Sequence, residues 1–210
     1  MTVSEILSWR YATKKFDPAM KIPQDELNEL LEALRLAPSS FGLQPWKFIV
    51  VEDPKLRKEL QTHSWGQPQI TDASELVVLC VVKDLNEAYV KSFVKQIAAA
   101  RGVDPASLKS YEDMMLSSVK NQTKEQVVEW SKRQVYIALG FLMYAASERR
   151  IDSCPMEGFD SKKYDEILKL GEQGLQSVVL CTLGYRAKDD AYAALKKVRL
   201  APKEVLVFKK

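Results

Sequence analysis

Residues 76–82 read LVVLCVV, seven apolar residues in a row, and residues 177–183 carry the similar run SVVLCTL. Such runs, rich in β-branched side chains, predict strands that are covered on both faces. Two further candidate strands are Trp46 to Glu52 (WKFIVVE) and a terminal Val205 to Phe208. Between the first two runs, helical periodicity predicts helices at about 86–101, 105–120 and 123–149 with no strand among them.

The rest of the chain adds helices at both ends of this pattern. Ser4 is a candidate cap for a first helix, and Pro23 opens a second, with Leu27, Leu30 and Leu34 at helical spacing and Pro38 as its stop. Residues 154–160, CPMEGFD, predict a sharp loop that leads into a helix. This order is not a regular βαβ alternation, so we predict an α+β fold with one domain over residues 1–210.

Several classes of function lose support on composition alone. Thirty-one Lys and Arg against 28 Asp and Glu leave a charge of +3, too small to predict nucleic acid as a partner. His63 is the single histidine, so neither a metal site nor a Ser-His-Asp triad is predicted. The eight glycines form no GxG pair and no phosphate-binding loop, and the three Cys form no CxxC pair.

The location of the protein is predicted from two stretches. The N-terminal MTVSEILSWRY lacks the basic and apolar regions of a secretory signal. The longest apolar stretch, Val135 to Ala146, is shorter than the roughly 20 residues that cross a bilayer. We therefore expect a cytoplasmic protein without a membrane partner. A helix that is apolar on all sides must be covered, which favours a homodimer, although a fully internal core helix is the alternative.

Four short segments and one basic pair combine small, polar and basic residues in ways that a core does not need. Arg10 and Lys14 lie four residues apart after the first helix, and 37–46, 65–69 and 154–160 are rich in turn-forming and amide residues. Lys197 and Arg199 would point to one side of an extended chain and could hold one phosphate. Each feature alone also fits an ordinary turn or a solvated surface.

Taken together, the segments resemble the nitroreductase family of flavin-dependent oxidoreductases. The similarity rests on R-x-x-x-K-x-F-D from Arg10 to Asp17, P-S-S-x-x-x-Q-P-W from Pro38 to Trp46, the P-x-E-G-F of 155–159 and the late basic pair. It runs from Ile6 to about Pro202 and is greatest to the oxygen-insensitive NAD(P)H nitroreductase and dihydropteridine reductase branch. The resemblance implies a small, mostly antiparallel sheet wrapped by helices, in a homodimer that exchanges a C-terminal strand and binds FMN at its interface.

The resemblance also implies roles for individual residues. Arg10, Lys197 and Arg199 would hold the FMN phosphate, and Lys14 would lie near the pyrimidine side of the ring. Residues 155–158 would face the ring, with a backbone N–H of Glu157 or Gly158 near N5 and O4, and Ser39 and Ser40 would come from the other subunit. Lys14 and Glu157 would orient and tune the flavin, and Phe41 and Leu116 would wall the substrate pocket. The full set of implied cofactor contacts is Arg10, Tyr11, Ala12, Lys14, Pro38, Ser39, Ser40, Gly42, Gln67, Gln69, Pro155, Met156, Glu157, Gly158, Lys197 and Arg199.

The activity that the resemblance implies is ping-pong hydride transfer from NADH or NADPH to flat nitroaromatic, quinone or pteridine acceptors. The sequence departs from the branch at Tyr11, Ala12, Phe41, Gly42, Gln67 and Gln69, and a neutral Gln69 in place of a Lys predicts a lower flavin potential. Three alternatives remain at this point: a flavin-dependent oxidase or dehydrogenase, a non-catalytic FMN-binding or redox-sensing dimer, and a helical interaction module without a cofactor.

Overall fold

A computed structural model describes residues 2–209, and its centre is one antiparallel sheet. The strands lie in the order β1-β2-β4-β3, and each neighbouring pair is antiparallel. Their bounds are β1 Trp46–Val50, β2 Glu75–Val82, β3 Asp152–Met156 and β4 Leu175–Gly184. The two continuous apolar runs form β2 and β4, the central strands, as their composition predicts.

Helices cover both faces of the sheet. They are α1 Val3–Trp9, α2 Gln24–Arg35, α3 Pro54–Thr62, α4 Gln69–Asp72, α5 Glu87–Arg101, α6 Lys109–Lys120, α7 Lys124–Glu148, α8 Ser161–Ile167 and α9 Pro202–Val205. Along β2 the side chains alternate: Val77, Leu79 and Val81 join the core beneath α2 and α7, whereas Val78 and Cys80 join the core on the opposite face. The α+β prediction is confirmed.

Three local predictions differ from the structure of the single chain. Of the predicted loop 154–160, residues 154–156 belong to strand β3 and only 157–160 form the loop that leads into α8. The sequence DSCPM does not predict a strand because Pro155 is tolerated only at an edge, and β3 is an edge strand. Val205 to Phe208 forms no strand within the single described chain, where α9 ends at Val205; because a strand needs a neighbour with which to pair, its predicted exchange with a second subunit stays a prediction. Thr2, rather than Ser4, caps α1 through a reciprocal pair of hydrogen bonds with Glu5.

Helix α7 has one buried and one exposed apolar face. Val135, Leu139 and Leu142 pack in the core, but Tyr136, Ile137 and Phe141 are 40, 42 and 47% exposed. A fully internal core helix is therefore wrong for the single chain, and the predicted partner subunit stays a prediction. Within residues 2–209, no helix combines the length and apolar character that a membrane crossing needs.

Candidate functional site

A cavity of about 500 Å³ lies between the segment after α1 and the residues that follow β4. Its volume falls in the range of about 300 to 1,000 Å³ that small-molecule sites occupy. The described residues that line it include no carboxylate, but they include five cations: Arg10, Lys14, Lys196, Lys197 and Arg199. We call this space the cationic cavity; its charge suits an anionic ligand such as a phosphate.

Arg10 enters the cavity because the chain after α1 is extended. Its backbone has φ −71° and ψ 143°, and Ala12 then forms a parallel bridge with Ser153 at the edge of the sheet. The Arg10 Nε atom is buried and has no hydrogen-bond partner in the described chain. Burial lowers the pKa of Arg10, and the positive charge of Arg199 lowers it further. A bound anion would offset both effects, so these residues fit a phosphate group.

The planar side chains of Trp9, Tyr11 and Arg186 lie together and hold the segment that contains Arg10. The Arg186 guanidinium lies over two rings, 4.4 Å from the centre of Trp9 and 4.6 Å from that of Tyr11. It also donates to the buried carboxylate of Asp152, with Nε–Oδ1 at 2.9 Å and a terminal nitrogen–Oδ1 distance of 2.5 Å. These contacts, together with the bridge between Ala12 and Ser153, fix the chain on both sides of Arg10.

Lys197 is engaged with the end of α1. Its ammonium donates to the backbone oxygens of Leu7 and Arg10, which are carbonyls of the last helical turn and its cap. A cation is favourable there because helix carbonyls at the C-terminus lack intrahelical partners. Burial lowers the pKa of Lys197, as do the charges of Arg10 and Arg199. Lys197 therefore connects the two cation-bearing segments as well as lining the cavity.

The loop after β3 is held by residues 63–67. Gln67 Nε2 donates to the Gly158 oxygen at 2.8 Å and to the Ser64 oxygen at 3.0 Å. The Trp65 ring lies so close to Gly158 that a Cβ added there would be 2.3 Å from it, so only glycine fits without displacement. Trp65 itself is 77% exposed and has φ +54°, a conformation that stores strain in a residue of this size. The implied cofactor contacts take Gln67 and Gln69 from segment 65–69 and leave out Trp65, although an aromatic residue before a glycine was an available signal.

Three other predicted residues lie beside this loop or under it. Glu157 Oε1 accepts a hydrogen bond from the Tyr136 hydroxyl on α7, and burial together with that bond raises the pKa of Tyr136 to about 12. Met156 is buried at the end of β3. Gln69 is also buried, and its Oε1 has no hydrogen-bond partner in the part of the chain that the structure describes. An unpaired buried acceptor of this kind is costly unless a ligand or water satisfies it.

The serine loop, residues 38–44, lies elsewhere in the single chain. Ser40 N donates to Gln134 Oε1 on α7 at 2.9 Å, and Ser39 Oγ accepts from Gln44 N at 2.9 Å. Phe41 packs with Leu116 in an apolar cluster under α5 and α6. Neither serine is among the residues that line the cationic cavity, so their predicted contribution across a dimer interface stays a prediction.

The fold is α+β, and a cavity lined by five cations lies between the segment after α1 and the residues that follow β4. The nitroreductase family model matches residues 7–185. The chain belongs to the nitroreductase family, and it is therefore an oxidoreductase.

One curated relative is similar to this chain in sequence, and two solved structures are similar to it in fold. A Staphylococcus saprophyticus protein named "Putative NAD(P)H nitroreductase" is 34% identical over 193 residues, 88% of each chain. A Staphylococcus epidermidis structure described as "a putative NAD(P)H:FMN oxidoreductase" has a TM-score of 0.86 and 23% identity, and covers 99% of this chain and 96% of its own. A structure from Exiguobacterium sibiricum described as "a putative nitroreductase in complex with FMN" has a TM-score of 0.85 and 20% identity, and covers 100% and 98%.

Proposed function

We propose that the protein is an FMN-dependent NAD(P)H oxidoreductase that passes hydride to flat, electron-poor acceptors. The observation that carries this proposal is the cationic cavity, in which the buried Arg10 Nε lacks a partner and no carboxylate lies in the described lining. Family membership and the FMN named in one neighbour's description support the same cofactor. FMN, when bound, supplies the hydride chemistry of its flavin ring.

The residues of the chain would bind and orient that cofactor. Arg10 and Arg199 would hold the phosphate as a charged pair, and Lys197 would hold the two segments together and add a third positive charge. Lys14 lies on the same wall and would place a cation toward the ring, where positive charge favours the reduced form. Pro155 lines the cavity from β3 and would guide the ring toward the Glu157–Gly158 loop.

No described side chain needs to act as an acid or a base in this scheme. We propose that NADH or NADPH and the acceptor occupy the same slot in turn, which makes the kinetics ping-pong. Nitroaromatics, quinones and pteridines share the planar shape that such a slot accepts. The exposed Trp65 lies next to Gly158 and would form part of the rim of this slot.

We also propose that residues 1–210 form one domain and that two copies form a homodimer. The exposed stripe of α7, with Tyr136, Ile137 and Phe141, supports this because a stripe of large apolar residues favours a protein partner. The C-terminal residues Leu206, Val207 and Phe208 are also exposed in the single chain and would exchange between copies. In that assembly Ser39 and Ser40 would reach the partner's cofactor.

The test is the visible spectrum of the purified, desalted protein, followed by anaerobic addition of NADH and then NADPH. A yellow protein that bleaches and regains its colour with a quinone or a nitroaromatic supports the proposal and identifies the donor. Bound flavin that neither donor bleaches favours a non-catalytic FMN-binding or redox-sensing dimer. Oxygen consumption without NAD(P)H favours an oxidase, and failure to take up FMN overturns the proposal.

A further inference from the structure

Asp190 lies where the two cation-bearing segments meet, and both of its carboxylate oxygens are used. Oδ2 accepts from the Tyr11 hydroxyl at 2.8 Å and from the backbone N–H groups of Lys14 and Lys15 at 3.0 and 3.2 Å. Oδ1 accepts from Tyr192 N at 3.0 Å and so caps the short 3₁₀ turn at 191–194. One oxygen therefore holds the segment of Arg10 and Lys14, and the other orders the turn that leads to Lys197 and Arg199.

The charge of Asp190 makes this arrangement unexpected beside an anion site. A carboxylate beside the cationic cavity weakens the attraction of the cavity for a phosphate if charge alone matters. Asp190 is only 6% exposed, and although burial tends to raise its pKa, the hydrogen bonds from Tyr11 and from the backbone lower the pKa overall. It is therefore ionised at neutral pH, and its benefit to the site must come from geometry rather than from charge.

Geometry matters here because neither segment has a regular structure of its own. Residues 10–14 are extended or bent, and 195–200 have no helix or strand. Loops that are disordered before binding lower affinity by the free energy needed to order them. We propose that Asp190 is a positioning residue, which holds the two cation-bearing segments at the spacing that one phosphate requires. This inference rests on the proposed function.

Two variants and one control separate geometry from charge. Asp190→Asn removes the charge and weakens all four accepted hydrogen bonds. Tyr11→Phe removes one donor, leaves the charge intact and keeps the ring that stacks on Arg186. Asp189→Asn removes the same charge one residue away, from a side chain that is exposed and pairs with Lys15. The probes are FMN and riboflavin, which carries the same ring without the phosphate, each titrated by the quenching of flavin fluorescence.

We expect the FMN Kd to rise about tenfold in Asp190→Asn and about threefold in Tyr11→Phe, with the riboflavin Kd unchanged in both. Asp189→Asn should leave the FMN Kd unchanged. Tighter or equal FMN binding by Asp190→Asn would mean that charge dominates, and an equal loss for riboflavin would mean general damage; either result overturns the inference. Wild-type protein that binds neither probe would overturn the proposed function instead, and the inference with it.

Discussion

Replacing Asp152 with Asn should destabilise the protein far more than replacing the carboxylate of an exposed ion pair. The Asp152 side chain is 4% exposed and accepts from Arg186 through Nε, a terminal nitrogen and the backbone N–H, the last at 2.9 Å. Asn keeps the shape but turns an N–H group toward these donors. Removing one member of a buried ion pair costs about 3 to 5 kcal/mol.

The lower end of that range applies here. Arg186 is 24% exposed and still lies over the rings of Trp9 and Tyr11, so its charge is not left without compensation. We therefore expect a loss of about 3 kcal/mol, or a fall in Tm of roughly 6 to 12 °C for a chain of this length. The measurement is urea and thermal unfolding followed by circular dichroism, at one protein concentration.

The matched control is Glu32→Gln. Glu32 pairs with Arg35 on the surface of α2, where the side chains are 44 and 66% exposed, and such pairs add little to stability. We expect its unfolding to be indistinguishable from wild type. If Asp152→Asn were as stable as this control, the ion pair between Asp152 and Arg186 would not stabilise the segment that contains Arg10. That result would refute the argument from the buried ion pair.

Three further predictions concern the cofactor and the thiols. Arg10→Ala and Arg199→Ala should each weaken FMN binding about ten- to hundredfold, since each leaves the phosphate with one cation fewer; retention of FMN unchanged in both would contradict the phosphate assignment. Gln69→Lys should raise the midpoint potential of bound FMN in a spectroelectrochemical titration, because a cation near the ring favours its reduced form; a potential that does not rise would count against a tuning role for this position. Burial raises the pKa of Cys80 from an ordinary value of 9.0 to about 12, so the stability linked to its protonated thiol is present below pH 9 and lost as the pH rises toward 12. The urea midpoint should fall across that window, and at pH 8 thiol reagents should label the folded protein at none of its three buried cysteines, Cys80, Cys154 and Cys181.

The sequence allowed prediction of those features whose physical cause is local. The runs that became β2 and β4 are apolar at every position because both faces of a central strand are covered, and this shows without knowing the neighbours. The same is true of α5, α6 and α7, which follow helical periodicity. By contrast, only the resemblance to the family implied that Arg10 and Lys14 act together with the distant Lys197 and Arg199; the four residues line one cavity.

Features that depend on distant contacts were not predictable. Asp190 is one of two adjacent acidic residues in a surface-like stretch, and its role depends on Tyr11, 179 positions away. Arg186 and Trp9 form a stack only because β4 ends beside α1. β3 was missed because an edge strand needs little apolar sequence, and its ladder with β4 decides its conformation.

The pairing of β2 with β4 has a consequence for how the protein is made. Val82 and Leu175 face each other in this ladder although α5, α6 and α7 lie between them in sequence. At a synthesis rate of about 5 to 20 residues per second, several seconds pass between the emergence of β2 and that of β4 from the ribosome. During that interval the most apolar strand of the chain has one neighbour, β1, and an open edge that can pair with other chains. The order of the strands thus leaves the nascent chain prone to aggregate until β4 emerges, a vulnerability that chaperone binding near β2 would relieve.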